Sequence, residues 1–131
     1  MDEKIAKALQ TDRTIDIITT GAKTGVPRRI EIWFNNVDGR IIITGTPHAS
    51  GEKGTYTPRS WLANLRANPE FTFCFKESLS LEVPARAVEI TDVNDRRYIM
   101  SAPATQWYRD QVGSVDELVA QSPMVEVFFD G

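Results

Sequence analysis

Apolar positions along this chain change their period several times, and each change marks an element. Between Asp2 and Gln10, Ile5, Ala8 and Leu9 recur at helical spacing behind acidic residues, which predicts a short N-terminal helix. From Thr14 the period shortens to that of a strand, with Ile15, Ile17 and Thr19 on one side of a β-branched run. A turn, "TTGAKTGVPRR", leads into "RRIEIWFNN", where Ile30, Ile32 and Phe34 alternate with Arg29, Glu31, Trp33 and Asn35. Asp38-Gly39 is a hairpin signal, and "RIIITGT" returns as the next strand, so the first half predicts a meander. Residues 47–58 carry no apolar period and read as an exposed loop. Thr57-Pro58 fits an N-cap and first helical position, Trp61, Leu62 and Leu65 form one stripe, and Asn68-Pro69 stops that helix. Phe71, Phe73 and Phe75 alternate with Thr72, Cys74 and Lys76, and "LSLEVPARAVEI" continues extended, with Pro84 marking a bulge or an edge. Thr91-Asp92 offers a cap for the next helix, two short helical pieces follow around Pro103 and Gly113, and "MVEVFFD" closes as a strand.

About six strands joined as meanders, covered by short helices and without a βαβ rhythm, predict a mainly β (α+β) fold: an antiparallel barrel or a strongly coiled sheet. With 131 residues, 41% of them hydrophobic, and no repeat or linker, the expectation is one domain over residues 1–131.

Charge and composition then narrow the chemistry. Fifteen Lys plus Arg against 18 Asp plus Glu give a net charge of -3, which argues against nucleic acid as a partner. One cysteine, Cys74, excludes an internal disulfide, and no long apolar run or leader stands out, so neither a membrane nor an oxidising compartment is expected; the expected location is the cytoplasm. A single His48 beside that single cysteine makes neither an ordinary zinc site nor a hydrolytic triad, so no metal is expected. His48 reads as a loop residue, and Cys74, set among phenylalanines on a strand, as a packing residue.

The first turn holds the candidate chemistry. Gly21, Lys23, Thr24 and Gly25 invite comparison with a phosphate-binding P-loop, yet Lys-Thr precedes the second glycine and a strand follows, so that motif is excluded. What remains is a tight turn whose glycines let backbone N–H groups converge beside a Thr hydroxyl and three cations, Lys23, Arg28 and Arg29, an inventory suited to phosphate or carboxylate. Solubility alone is the competing explanation for the cations. Adjacent Arg28 and Arg29 point to opposite faces of a strand, so one solvated surface does not account for both.

Taken in order, "TTGAKTGVPRRIEIWF", "GRIIITGTP" and "SWLANLRANPEFTF" resemble the deazaflavin-dependent nitroreductase family, the split β-barrel flavin/deazaflavin oxidoreductases. The resemblance runs from about Thr14 to about Ile90 and rests on a Thr-Thr-Gly-x-Lys-Ser/Thr-Gly-x-x-Arg turn and a Trp-x-x-Asn-Leu-x-Ala-Asn-Pro helix end. It implies an FMN-binding-like split β-barrel, a homodimer, and coenzyme F-420 as cofactor, with hydride transfer to a small electrophilic acceptor such as a quinone, nitro compound or enone. Carried over by position, Lys23, Thr24, Gly25 and Arg28 would contact the anionic tail, with Arg29 a weaker candidate. Glu31, Ile32 and Trp33 would lie beside the ring, Thr44, Gly45 and Thr46 would meet it from the next strand, and Trp61 would begin the adjoining helix. The chain departs from the family at Ala22 and Thr46, where relatives carry basic or polar residues, and lacks a tyrosine-rich wall, for which Trp107 and Tyr108 are the nearest candidates. FMN on the same fold and a non-catalytic cofactor carrier are the alternatives; Trp33 and Trp61 also suit plain packing roles, at an interface and in helix docking.

Overall fold

A computed structural model describes residues 2–47 and 60–129; the residues expected to form a helix cap, Thr57 and Pro58, and the loop residue His48 lie outside them. The order is α1 (Glu3–Thr11), β1 (Thr14–Thr20), β2 (Pro27–Trp33), β3 (Asn35–Val37), β4 (Arg40–Thr44), α2 (Ser60–Ala67), β5 (Glu70–Phe75), β6 (Leu81–Glu89), α3 (Val93–Met100), α4 (Gln106–Val112), α5 (Val115–Gln121) and β7 (Met124–Phe129). Local chemistry sets the boundaries. Asp2 caps α1 by accepting from the Lys4 amide, Asp92 caps α3 from the Asp95 amide, and Gly113 ends α4 in the left-handed region at φ 77°. Asp38 and Gly39 take φ of 55° and 88°, the paired positive angles that a tight two-residue hairpin demands.

All strands of the described residues join one antiparallel sheet of seven, ordered β2-β1-β5-β6-β7-β4-β3. The extra strand arises because the expected run through "RRIEIWFNN" is broken at Phe34. Its first part pairs with β1 and its second with β4, so the two ends of the strand order are consecutive in the chain. The sheet therefore curls towards closure, the half-barrel expected of the split-barrel fold. Asn35, read as an outward residue, is buried because the bend at Phe34 resets the alternation. Pro84 pairs with β5 at Thr72 but lies just beyond the stretch of β6 that pairs with β7, a locally one-sided position where its missing N–H costs no ladder bond.

Two apolar clusters fill the molecule. One lies inside the curl, where Phe34, 1% exposed, meets Phe73 edge-on at 5.5 Å and α2 adds Trp61, Leu62 and Leu65. The other lies on the opposite face, where α3, α4 and α5 cover Ile42 and Met124 with Ile99, Tyr108 and Leu118. Cys74 is buried, and that burial pushes its thiol above the ordinary range, as suits a packing residue. Buried Arg96 donates Nε to the Val119 carbonyl, Nη1 to that of Ile90 and Nη2 to that of Ser122, at 2.6–2.7 Å, occupying carbonyls at the end of α5. Arg40 joins three elements: its guanidinium makes two 2.8 Å bonds to Asp95 of α3 and a 2.7 Å bond to Glu126 of β7. Among the described residues no helix is long and apolar enough to cross a membrane.

Phe34→Ala is expected to cost about 3–5 kcal/mol, read as a lower urea midpoint, because the bend residue is fully enclosed. Arg40 holds the Asp95 carboxyl below its usual range. Asp95 thus stabilises the fold fully above its unfolded pKa of about 4, and that contribution disappears as pH falls through the lower folded value. Urea midpoints measured across this acid range should fall less steeply for Asp95→Asn than for the unsubstituted protein.

Candidate functional site

The β1–β2 turn is held by its own backbone. Gly21 N–H donates to the Val26 carbonyl at 2.9 Å, and Gly25 N–H to the Gly21 carbonyl at 2.9 Å. Gly25 turns the corner at φ 69°, where a side chain would be strained. Thr24 then folds inward: its hydroxyl oxygen accepts from the Val26 amide at 3.2 Å and lies 2.6 Å from where a Cβ on Gly21 would sit. Position 21 is glycine because Thr24 occupies that space. Helix α2 fastens the turn from outside, since Asn64 Oδ1 accepts from the Ala22 amide at 2.9 Å and Nδ2 donates to the Thr19 hydroxyl oxygen at 3.1 Å.

Between turn and helix lies a cavity of about 700 Å³. Lys23 and Arg28 line it together with Ile30, Trp61, Thr19 and Asn64, and Thr19 lies opposite Arg28 in the β1–β2 ladder. Gly21, Ala22 and Thr24 from the turn, and Ser60 and Ala63 from α2, complete the wall. Among the described residues α2 begins beside this cavity at Ser60, and its first turn carries no acidic residue. Neither Lys23 nor Arg28 has an ion-pair partner among the described residues.

Arg29 differs from its neighbour, as alternation requires. It binds Asp16 at 2.9 Å and Glu82 at 3.4 Å on the outer face, where Lys76 also bridges Asp16 and Glu31. Lys76 and Arg29 together hold the Asp16 carboxyl below its usual range. One arginine is thus committed to the scaffold, and the other is available to a ligand.

The remaining sequence candidates divide. Lys23, Thr24, Arg28 and Trp61 meet at the cavity, and Gly25 shapes the turn beside it. Ile30 lines the cavity and Ile32 does not: Ile17 pairs with Ile30 and Ile15 with Ile32, so Ile32 lies two residues, about 7 Å, further from the turn and packs on the inner core. Trp33 is on the other face, edge-on to Trp107 at 5.0 Å with the Arg13 guanidinium 4.3 Å from its ring. Thr44 is buried and donates its hydroxyl to the Pro123 carbonyl at 2.6 Å; neither it nor Gly45 or Thr46 lines the cavity. Tyr108 also lies elsewhere: its buried hydroxyl accepts from Asn35 at 3.1 Å, and burial raises its pKa. Thr19, Ile30 and Asn64 are the additions. Asn64 was signalled by the Trp-x-x-Asn spacing, which places it on the same helical face as Trp61, whereas Thr19 depended on knowing that α2 packs over β1.

The same architecture recurs in solved proteins. A conserved hypothetical protein from Mycobacterium tuberculosis superposes with a TM-score of 0.69 at 16% identity, over 100% of this chain and 82% of that one. A structure described as an F420-H2 dependent reductase gives 0.52 at 18% identity, over 88% and 93%. Another, described as a domain-swapped dimer, gives 0.55 at 19% identity, over 89% and 81%. At these identities the likeness establishes the split-barrel fold. Family comparison goes further: the model of the F420-H2-dependent quinone reductases matches residues 1–120, and the chain belongs to that family.

Proposed function

We propose that this protein is an oxidoreductase that holds coenzyme F-420 in the cavity between the β1–β2 turn and α2 and reduces a small electrophilic acceptor, a quinone, nitro compound or enone. The observation that carries this reading is the pair of cations, Lys23 and Arg28, without an ion-pair partner among the described residues, on a cavity also lined by Ile30 and Trp61. A phosphorylated, carboxylate-bearing tail suits the cations, and a flat ring suits Ile30 and Trp61. The donor set fits the cofactor.

In its reduced form coenzyme F-420 supplies a hydride, so the protein's work is binding, orientation and exclusion of water. Lys23 and Arg28 supply positive potential for the tail. Ile30 and Trp61 shed water when covered and fix the plane of whatever lies between them. Among the described residues of the cavity wall none is a carboxylate, histidine or tyrosine. Two protomers belong to this reading as well, supported by the exposed aromatic side chains of Trp107, Tyr98 and Phe128. Sedimentation velocity is expected to give a dimer.

Titration of the purified protein with coenzyme F-420, followed by fluorescence, should show saturable binding, and reduced cofactor should be consumed in the presence of menadione. Tight binding of FMN without binding of F-420 overturns the assignment. Lys23→Ala and Arg28→Ala should each weaken F-420 binding about tenfold or more, with a loss that shrinks at high salt. Arg29→Ala should leave that affinity unchanged, because its partners lie on the outer face. Tyr108→Phe should leave turnover intact and lower stability by about 1–2 kcal/mol, the cost of stranding buried Asn35.

A further inference from the structure

Asn64 has no freedom in how its amide is oriented. Ala22 presents a backbone N–H, which only donates, so the atom facing it at 2.9 Å has to be Oδ1. The other end is then Nδ2, also only a donor, and it lies 3.1 Å from the Thr19 hydroxyl oxygen. Thr19 Oγ1 is therefore the acceptor in that bond, and its own proton is directed elsewhere. Thr19 is only 2% exposed yet lines the cavity, and no acceptor among the described residues takes that proton. A hydroxyl proton that has no protein acceptor among the described residues and borders the cavity is placed to be taken by a ligand acceptor there in exchange for water.

Resting on the F-420 reading above, we propose that Thr19 is a binding residue whose hydroxyl donates to an acceptor oxygen of the bound cofactor, and that Asn64 is the positioning residue that imposes this polarity. Asn64 performs two tasks with one amide. Its oxygen fixes the Ala22 end of the anion-binding turn, and its nitrogen occupies the Thr19 lone pair, so the hydroxyl is left as a donor. Thr19 lies opposite Arg28 in the β1–β2 ladder and beside Asn64, a place from which a directional bond to a ligand held by Arg28 sets how far that ligand slides along the groove.

The test is a double-substitution cycle in the full chain, read by F-420 fluorescence titration. Thr19→Val should weaken binding about 3- to 10-fold, and Thr19→Ser, which keeps the hydroxyl, should restore it. Asn64→Asp still accepts from Ala22 but offers Thr19 an oxygen, so the hydroxyl turns away from the cavity to donate to the introduced carboxylate. In that background Thr19→Val should cause no further loss. An equal loss from Thr19→Val in both backgrounds, or none in either, overturns the assignment. The fastening of the turn has its own readout: in the unliganded protein, Asn64→Leu should speed exchange of the Ala22 amide about tenfold or more, while Asn64→Asp should not. Unchanged exchange in Asn64→Leu overturns the positioning role. If the unsubstituted protein fails to bind F-420, the functional reading falls and the Thr19 contact falls with it, whereas the Asn64 clamp is judged on the exchange rates alone.

Discussion

One residue, Phe34, separates β2 from β3, and those two strands are the opposite ends of the sheet order. Because the two links through one residue span at most about 7 Å, the two edges have to approach one another there, and the sheet has to curl. The curl encloses Phe73 and its neighbours and blunts both open edges at that point. It also brings the outer end of the β1–β2 hairpin alongside α2. The cavity exists because that hairpin and that helix are held apart by side chains and together by Asn64.

Most of the strands were legible because a half-buried strand writes its two faces into the sequence at alternate positions, and the alternation of Phe71, Phe73 and Phe75 survives unchanged in β5. The Asp38-Gly39 turn was legible for a different reason: few residues tolerate paired positive φ. The break at Phe34 was not. The run through Trp33, Phe34 and Asn35 carries no proline or glycine, and the bend is imposed by the two partners that claim its halves. At the site, the turn and Trp61 could be read from local residue chemistry. Choosing Ile30 over Ile32 depends on where a helix distant in sequence docks, which periodicity alone does not encode.

Adjacent arginines show how one rule serves two ends. Alternation sends Arg29 outward into a lattice with Asp16, Glu82, Lys76 and Glu31, and sends Arg28 to the cavity. Were both committed to carboxylates, the cavity would lose half of its cationic side chains; were both free, Asp16 would keep only Lys76. The division leaves positive potential on the cavity side and a closed ion-pair lattice on the other.

The cluster beneath α3, α4 and α5 contributes nothing to the cavity wall; the two share the sheet but lie on different sides of it. Replacements of the buried residues of those helices are therefore felt at the cavity through the shared sheet and not by contact with its described wall. Buried positions there answer to packing, so they tolerate drift that keeps volume and hydrophobicity while the lining chemistry of the cavity stays the same.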